Sequence, residues 1–257
     1  MKPVGGIAGV CFLKANRKFA VVLDQTASAT GVLLDGRYVL TAGHNLFNAS
    51  YPWGRVERIG VEIGKAHAGE AEVVVRGGKV EQGVIPAGGV WTVSPSFKWS
   101  PSTWLKPAAS NEMIQHDYGF VDLGEGFRRS SHFTLSKGFQ LKVGDVVRVA
   151  GYPGDSKRVK GATGTQLFEG KGQVTAVGGN LFSYNIVTAK GLSGAPVWVE
   201  RGGRKVVVGV HVGSDFGGKK GAVARTVNRR LIQDWKAWKS LRSLTEVAGE
   251  GALVVAQ

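Results

Sequence analysis

The chain has 257 residues, 43% of them hydrophobic and 20% charged, an ordinary balance for a soluble globular protein. Its length allows one large all-β unit or two small barrels sharing a core, and no uninterrupted apolar stretch approaches the roughly 20 residues of a membrane helix. Thirty-three basic against 19 acidic side chains leave a net charge of +14, and the single cysteine, Cys11, excludes an internal disulfide.

In chain order, the N-terminal stretch Met1–Phe19 holds one mild apolar run. Gly5, Gly6 and Gly9 break it and Asn16, Arg17 and Lys18 follow it, which is not a signal-peptide pattern. Together with the missing disulfide, this favours an intracellular setting over a secreted one. Cys11, inside that run, reads as a small buried hydrophobe. Apolar runs bounded by turn residues then recur at Phe19–Leu23, Gly31–Leu34, Tyr38–Thr41, Ile59–Ile63, Ala71–Arg76 and Tyr118–Leu123. They continue at Val146–Ala150, Gly172–Val177, Leu181–Ile186, Val197–Glu200, Val206–Val210 and Ala222–Thr226. With 39 glycines scattered between them, these runs predict many short strands joined by tight turns, in a sandwich or barrels.

Three segments depart from that pattern. Ser94–Glu112 carries Pro95, Pro101 and Pro107 with Trp99 and Trp104, and reads as a long surface loop. Glu125–Phe139 is a crossover between two halves of the molecule. At the end, Leu231, Ile232, Trp235, Trp238, Leu241 and Leu244 fall at three- and four-residue steps, which predicts a helix over Asn228–Leu244 with Asn228 as its N-cap. The tail after Gly249 carries no signal. Basic clusters at Lys157–Lys160, Lys219–Lys220 and Arg225–Arg242 read as a solvated surface, with non-specific attraction to nucleic acid or to acidic substrates as the alternative.

Chemistry concentrates in three short segments. In Tyr38-Val-Leu-Thr-Ala-Gly-His44-Asn, a strand ends in small residues that let an imidazole turn inward over a cleft. In His116-Asp117-Tyr-Gly-Phe-Val-Asp-Leu, an acid opens an apolar strand. In Thr188-Ala-Lys-Gly191-Leu-Ser193-Gly194-Ala-Pro196, a serine sits in a glycine turn before a strand. A serine hydroxyl becomes a useful nucleophile when an adjacent imidazole takes its proton, and a buried carboxylate fixes the imidazole tautomer. Glycine beside the serine lets two backbone N–H groups, those of Gly191 and Ser193, face a developing oxyanion. The steps of 73 residues (117 minus 44) and 76 residues (193 minus 117) are wide enough to put His44 and Asp117 in one half and Ser193 in the next. Asp122 competes for the acid role, but it lies an odd number of positions along the same strand and faces the other side. His116 points to solvent, His67 and His132 are surface residues, and no cluster has metal-ligand spacing. No cofactor is called for.

At these residues the chain resembles the trypsin-like peptidases, whose order of catalytic residues is also His, Asp, Ser. Within them it is similar to the glutamyl endopeptidase branch, through Leu-Thr-Ala-Gly-His-Asn, Gly151-Tyr-Pro-Gly-Asp155 with Gly164-Thr-Gln166, and Tyr184-Asn-Ile-Val-Thr188. The resemblance implies two antiparallel six-stranded β-barrels of the chymotrypsin kind with a C-terminal α-helix. The first barrel spans 1–128, the second 129–244, and a tail 245–257. It implies His44 as general base, Asp117 as its orienting acid and Ser193 as nucleophile. Asn45 stands where disulfide-containing members carry a half-cystine, and Leu192 stands where trypsin has the aspartate of zymogen activation.

The branch also places a histidine in the strand after the serine and a threonine five residues before it. His211 and Thr188 match, and with Gly213 they would line a pocket for the side chain preceding the cut. The expectation is a monomeric serine endopeptidase that acts on protein or peptide substrates, cleaving after Glu and less well after Asp, without membrane association. Two alternatives stay open: a viral-type processing protease that takes Glu or Gln through a neutral histidine, and a retired protease scaffold that only binds.

Overall fold

The structure, a computed structural model, describes residues 1–18, 24–46, 55–68, 73–76, 91–97, 113–125, 127–131, 133–136, 138–214 and 221–254. The expected strand at 19–23, His132, and the part of the proline-rich loop carrying Trp99 and Trp104 lie outside these residues.

Runs such as Gly31–Leu34 and Val206–Val210 are apolar at every position, so they suit strands buried on both faces. The chain builds two sheets from them. Strands β1 to β4 are Lys2–Pro3, Val10–Lys18, Asp24–Leu34 and Tyr38–Thr41, followed by one short helical turn, α1, at Gly43–Leu46. Then come β5 (Arg55–Ile63), β6 (Val73–Arg76), β7 (Trp91–Val93) and β8 (Gly119–Asp122). The second half holds β9 (Phe133–Leu135), β10 (Val146–Gly151), β11 (Phe168–Gly178), β12 (Leu181–Tyr184), β13 (Pro196–Arg201), β14 (Arg204–Ser214), β15 (Ala222–Thr226) and α2 (Arg229–Val254).

The second sheet runs β11-β10-β13-β14-β15-β12, and β12 pairs back onto β11, closing a six-stranded antiparallel barrel. The first sheet runs β6-β5-β2-β3-β4-β8-β7, all antiparallel. The all-β, chymotrypsin-like architecture with a C-terminal helix is therefore the one that folds, but the first sheet is an open half-barrel of seven strands among the described residues. Its outer strands β6 and β7 flank residues 77–90, which lie outside the description. Two further pairings extend the second sheet, and the first of them crosses between the halves of the chain. Strand β1 joins the second sheet beside β11, and β9, inside the expected crossover, runs parallel to β14.

Alternation within single strands sorts side chains between distinct cores. Val32, Leu40 and Phe120 point into the cluster between the two sheets, where they meet Tyr152, Trp198 and Val210. Their neighbours Leu33, Val39 and Val121 point into the interior of the first sheet. Val147, Val149, Val197 and Val208 fill the second barrel. Asn228 caps α2 through its side-chain oxygen, which accepts the Leu231 N–H at 3.1 Å. Helix α2 then lays Leu231, Trp235 and Trp238 into the inter-sheet core. Trp235 meets the Tyr38 ring edge-on at 5.0 Å, and Phe120 stacks on Trp238 at 5.8 Å, so the last element of the chain packs against strands of the first sheet. The helix runs ten residues beyond the Leu244 expected from periodicity, to Val254.

Candidate active site

His44 lies on α1, directly after β4 delivers Thr41 to the inter-sheet boundary. A Cβ at Gly43 would lie 3.2 Å from Asp117 Oδ1, so glycine is what permits the turn to approach the acid this closely. Asp117 is buried and grips His44 at two points. Its Oδ2 is 2.6 Å from Nδ1 of the ring, and its Oδ1 accepts the His44 backbone N–H at 2.8 Å. The imidazole remains 30% exposed, open to a cleft of about 450 Å³ that Ser193 also lines. Asp122, the competing acid, is turned to the other side; it ends β8, whereas Asp117 lies two residues before that strand begins. It holds Arg37 through both oxygens at 2.5 and 2.6 Å and takes Arg242 of α2 at 2.9 Å. His67 is exposed as expected, whereas His116 is half-buried rather than turned fully to solvent.

The turn bearing Ser193 is fastened to the opposite sheet. Its carbonyl accepts two bonds from the first half of the chain, from Thr30 N–H of β3 at 2.9 Å and from Asn45 Nδ2 of α1 at 3.0 Å. Thr30 Oγ1 donates to the Gly191 carbonyl at 2.8 Å and accepts the Tyr152 N–H at 3.2 Å. Gly194 takes φ = +86°, and a Cβ there would collide with Thr41 Oγ1 and the Thr30 carbonyl. The turn thus abuts the strand leading to His44 with no room for a side chain. Neither the Gly191 nor the Ser193 N–H donates to a partner among the described residues, and the Ser193 hydroxyl makes no hydrogen bond to them. Hydrogen bonds between catalytic groups commonly tighten when substrate binds.

Thr188, His211 and Gly213 line the same cleft. Between His211 and Gly213 the pairing of β14 with β15 slips by one residue, a bulge that re-aims the strand where it borders the cleft. His211 is buried, and its Nδ1 lies 2.7 Å from the hydroxyl of fully buried Tyr184. Burial first, and then the positive field of His44, push the His211 pKa down to about 3 against a smaller opposing pull from the Val223 carbonyl, so the ring is neutral at ordinary pH. Burial likewise raises Tyr184 well above the usual phenol range, so it keeps its proton. A buried phenol must donate that proton somewhere. His211 Nδ1 is the acceptor it reaches, and the network therefore assigns the ring proton to Nε2.

A profile described as a trypsin-like peptidase domain matches residues 29–210, well over half of the chain and from before His44 to past Ser193. The chain belongs to the trypsin-like peptidases. Among curated proteins this peptidase is similar to a glutamyl endopeptidase of Staphylococcus epidermidis, with 31% identity over 80 residues, 31% of this chain and 25% of the relative. It is 32% identical over 97 residues to a glutamyl endopeptidase of Staphylococcus aureus strain MW2, covering 38% of this chain and 27% of the relative. The matched stretches thus span about a quarter of those relatives.

Among solved structures, a Glu endopeptidase superposes with a TM-score of 0.58 at 19% identity, over 94% of this chain and 93% of the other. The protease Anisep of Arthrobacter nicotinovorans gives 0.56 at 15%, over 94% and 98%. A scabies mite inactivated protease paralogue gives 0.61 at 15%, over 92% and 100%. Such likenesses carry the fold, and the inactivated paralogue shows that the fold alone does not carry activity.

Sequence reasoning found the segments of this peptidase that bear His44, Asp117, Ser193, Thr188 and His211, but not the residues that hold them. Asn45 and Tyr184 stand inside the motifs that carry the resemblance and Thr30 outside them, but the holding roles of all three leave no local signal, because what Thr30, Asn45 and Tyr184 hold lies 161, 148 and 27 residues away in the chain. Among the described residues no group of His, Cys, Asp and Glu could hold a metal ion, and no helix is long and apolar enough to cross a membrane. Cys11 is buried, as its apolar run suggested.

Proposed function

We propose that this peptidase is a serine endopeptidase in which His44, Asp117 and Ser193 form the catalytic triad. The observation that carries the reading is the double grip of Asp117 on His44, through ring nitrogen and backbone, at the edge of a cleft that Ser193 also lines. With Asp117 fixing Nδ1–H, the opposite ring nitrogen is left basic and takes the Ser193 proton as the hydroxyl attacks the scissile carbonyl. The Gly191 and Ser193 N–H groups, uncommitted among the described residues, hold the oxyanion that forms. Losing one such donor typically raises the barrier by about 2.7–4 kcal/mol. His44 then returns the proton to the leaving amine, and water, activated by the same imidazole, releases the acyl group.

Cleavage after Glu, more weakly after Asp, is the favoured specificity. It is supported by Thr188 and by the Nε2–H of His211 as donors beside Ser193, with Gly213 keeping the wall low, and by the partial likeness to glutamyl endopeptidases. One observation also favours acceptance of Gln. A neutral His211 donates to an amide oxygen as readily as to a carboxylate.

Covalent labelling with an organophosphonate tests the chemistry. The wild type is expected to label in a 1:1 ratio and Ser193→Ala not at all, whereas an unlabelled wild type would return the chain to a binding role on a protease scaffold. A peptide panel tests specificity, and faster cutting after Arg, Lys or Phe than after Glu refutes it.

A further inference from the structure

Beside His44 and Asp117, the cleft is lined by three more charged side chains, Asp155, Arg158 and Lys190. The donors set against the substrate side chain, Thr188 and His211, carry no charge. A hydroxyl and an imidazole N–H select a polar group of suitable length, but they do not tell a carboxylate from its amide. A cation must do that.

Arg158 stands where this is needed. Its Nη1 donates to Ser214 Oγ at 3.1 Å, and Ser214 ends β14 three residues beyond His211. Its chain neighbour Val159 is buried in one cluster with Ala189, the residue after Thr188. The loop between is ordered by Asp155, whose carbonyl accepts the Val159 N–H at 2.9 Å and whose Oδ1 accepts the Lys157 N–H at 2.9 Å. The guanidinium is therefore anchored between the wall that bears His211 and the wall that bears Thr188. Lys190 also lines the cleft and, like Arg158, is exposed, but no such anchor holds it among the described residues. A guanidinium presents a planar fork that matches a carboxylate, whereas an ammonium acts as a mobile point charge.

We propose that Arg158 makes the cleft select a carboxylate over its isosteric amide in the substrate residue preceding the cut. This rests on the acidic-substrate reading above. Thr188 and His211 set the shape and polarity of the site, and Arg158 sets its charge.

The test compares kcat/KM on two peptides differing only in Glu or Gln before the scissile bond, for wild type, Arg158→Gln, Arg158→Lys and Lys190→Gln. The wild type is expected to prefer Glu. Arg158→Gln should lower the Glu-to-Gln ratio by about tenfold or more, a charged hydrogen bond being involved. Arg158→Lys should restore part of it, and Lys190→Gln should leave the ratio within about twofold. Raising the salt concentration should shrink the wild-type ratio and leave that of Arg158→Gln nearly flat. Equal losses on both peptides in Arg158→Gln would mean a structural role and overturn the proposal. So would a ratio that collapses in Lys190→Gln instead. A wild type that cuts Gln as well as Glu removes Arg158's role but leaves the Thr188 and His211 pocket standing, whereas one that cuts neither defeats both.

Discussion

Asn45 takes the place that a half-cystine fills in disulfide-containing members of the family, and it acts as a hydrogen-bonded staple. Its buried amide donates to Thr41 Oγ1 at 2.9 Å and to the Ser193 carbonyl at 3.0 Å, joining the His44 turn to the Ser193 turn. Asn45→Ala removes both bonds but orphans neither acceptor. Ser193 keeps the Thr30 N–H at 2.9 Å, and Thr41 Oγ1 still donates to the Thr30 carbonyl at 2.7 Å. The loss is therefore two ordinary net hydrogen bonds, about 2 kcal/mol in total. Asn45→Asp keeps the shape but turns a donor into a carboxylate facing a carbonyl. That buried acid has a folded-state pKa above its unfolded value, so it costs least below about pH 4 and destabilises progressively as pH rises. Urea unfolding at several pH values, read as midpoint at constant slope, together with the rate of phosphonate labelling, measures both effects. Asn45→Ala should lose about 2 kcal/mol, and Asn45→Asp more, with the gap widening upward in pH. Both should label more slowly. An alanine variant within about 0.5 kcal/mol of wild type that labels at the wild-type rate would refute the staple.

Thr30→Val keeps the volume of Thr30 but strips the Gly191 carbonyl of a donor and the buried Tyr152 N–H of its acceptor. It should cost about 2–3 kcal/mol in thermal unfolding and lower kcat/KM, because Gly191 is loosened. His211 has its pKa depressed from 6.5 to about 3 by burial, so the unfolded chain binds one more proton than the folded chain between these values. Its contribution to stability is complete above about pH 6.5 and is lost as pH falls toward 3, at up to about 1.4 kcal/mol per pH unit, and His211→Gln should flatten that slope in denaturant titrations. Trp235→Ala empties a site between Tyr38 and Phe120 and should cost about 3–5 kcal/mol by calorimetry.

Much of the second half was legible because most of its strands are apolar runs bounded by glycine and turn residues, whereas β11, with Glu169, Lys171 and Gln173 interleaved, showed only from Gly172 onward. Strands β4 and β15 begin and end where the apolar runs do. Strand β2 was not legible. Its second half, Lys14-Ala-Asn-Arg-Lys18, has no apolar alternation, yet it pairs with β3 on one side and β5 on the other. Pairing with neighbours on both sides decided its conformation over local pattern. The strand expected over Tyr118–Leu123 separated Asp117 from Asp122 by parity, but β8 begins only at Gly119, so Asp117 lies outside it and the turn before the strand, not alternation, aims its side chain. The arginine partners of Asp122 were not legible, because Arg37 and Arg242 are 85 and 120 residues away. The chemistry of the site shows in the sequence because glycine beside a functional side chain is a local backbone requirement. The bonds by which Thr30, Asn45, Tyr152 and Tyr184 steady it do not, because their partners lie far away in the chain.

Helix α2 follows the second barrel yet fastens onto strands of the first. Trp235 and Trp238 cover Tyr38 and Phe120, Arg242 reaches Asp122, and Asp234 receives the hydroxyl of Tyr118, the residue next to Asp117. During synthesis, the sheet that presents His44 and Asp117 leaves the ribosome long before the helix that braces it. Such distant closures are slow to form. The half bearing base and acid stays unbraced until that helix has emerged, so hydrolytic competence, in the reading proposed here, waits for the second barrel to be made.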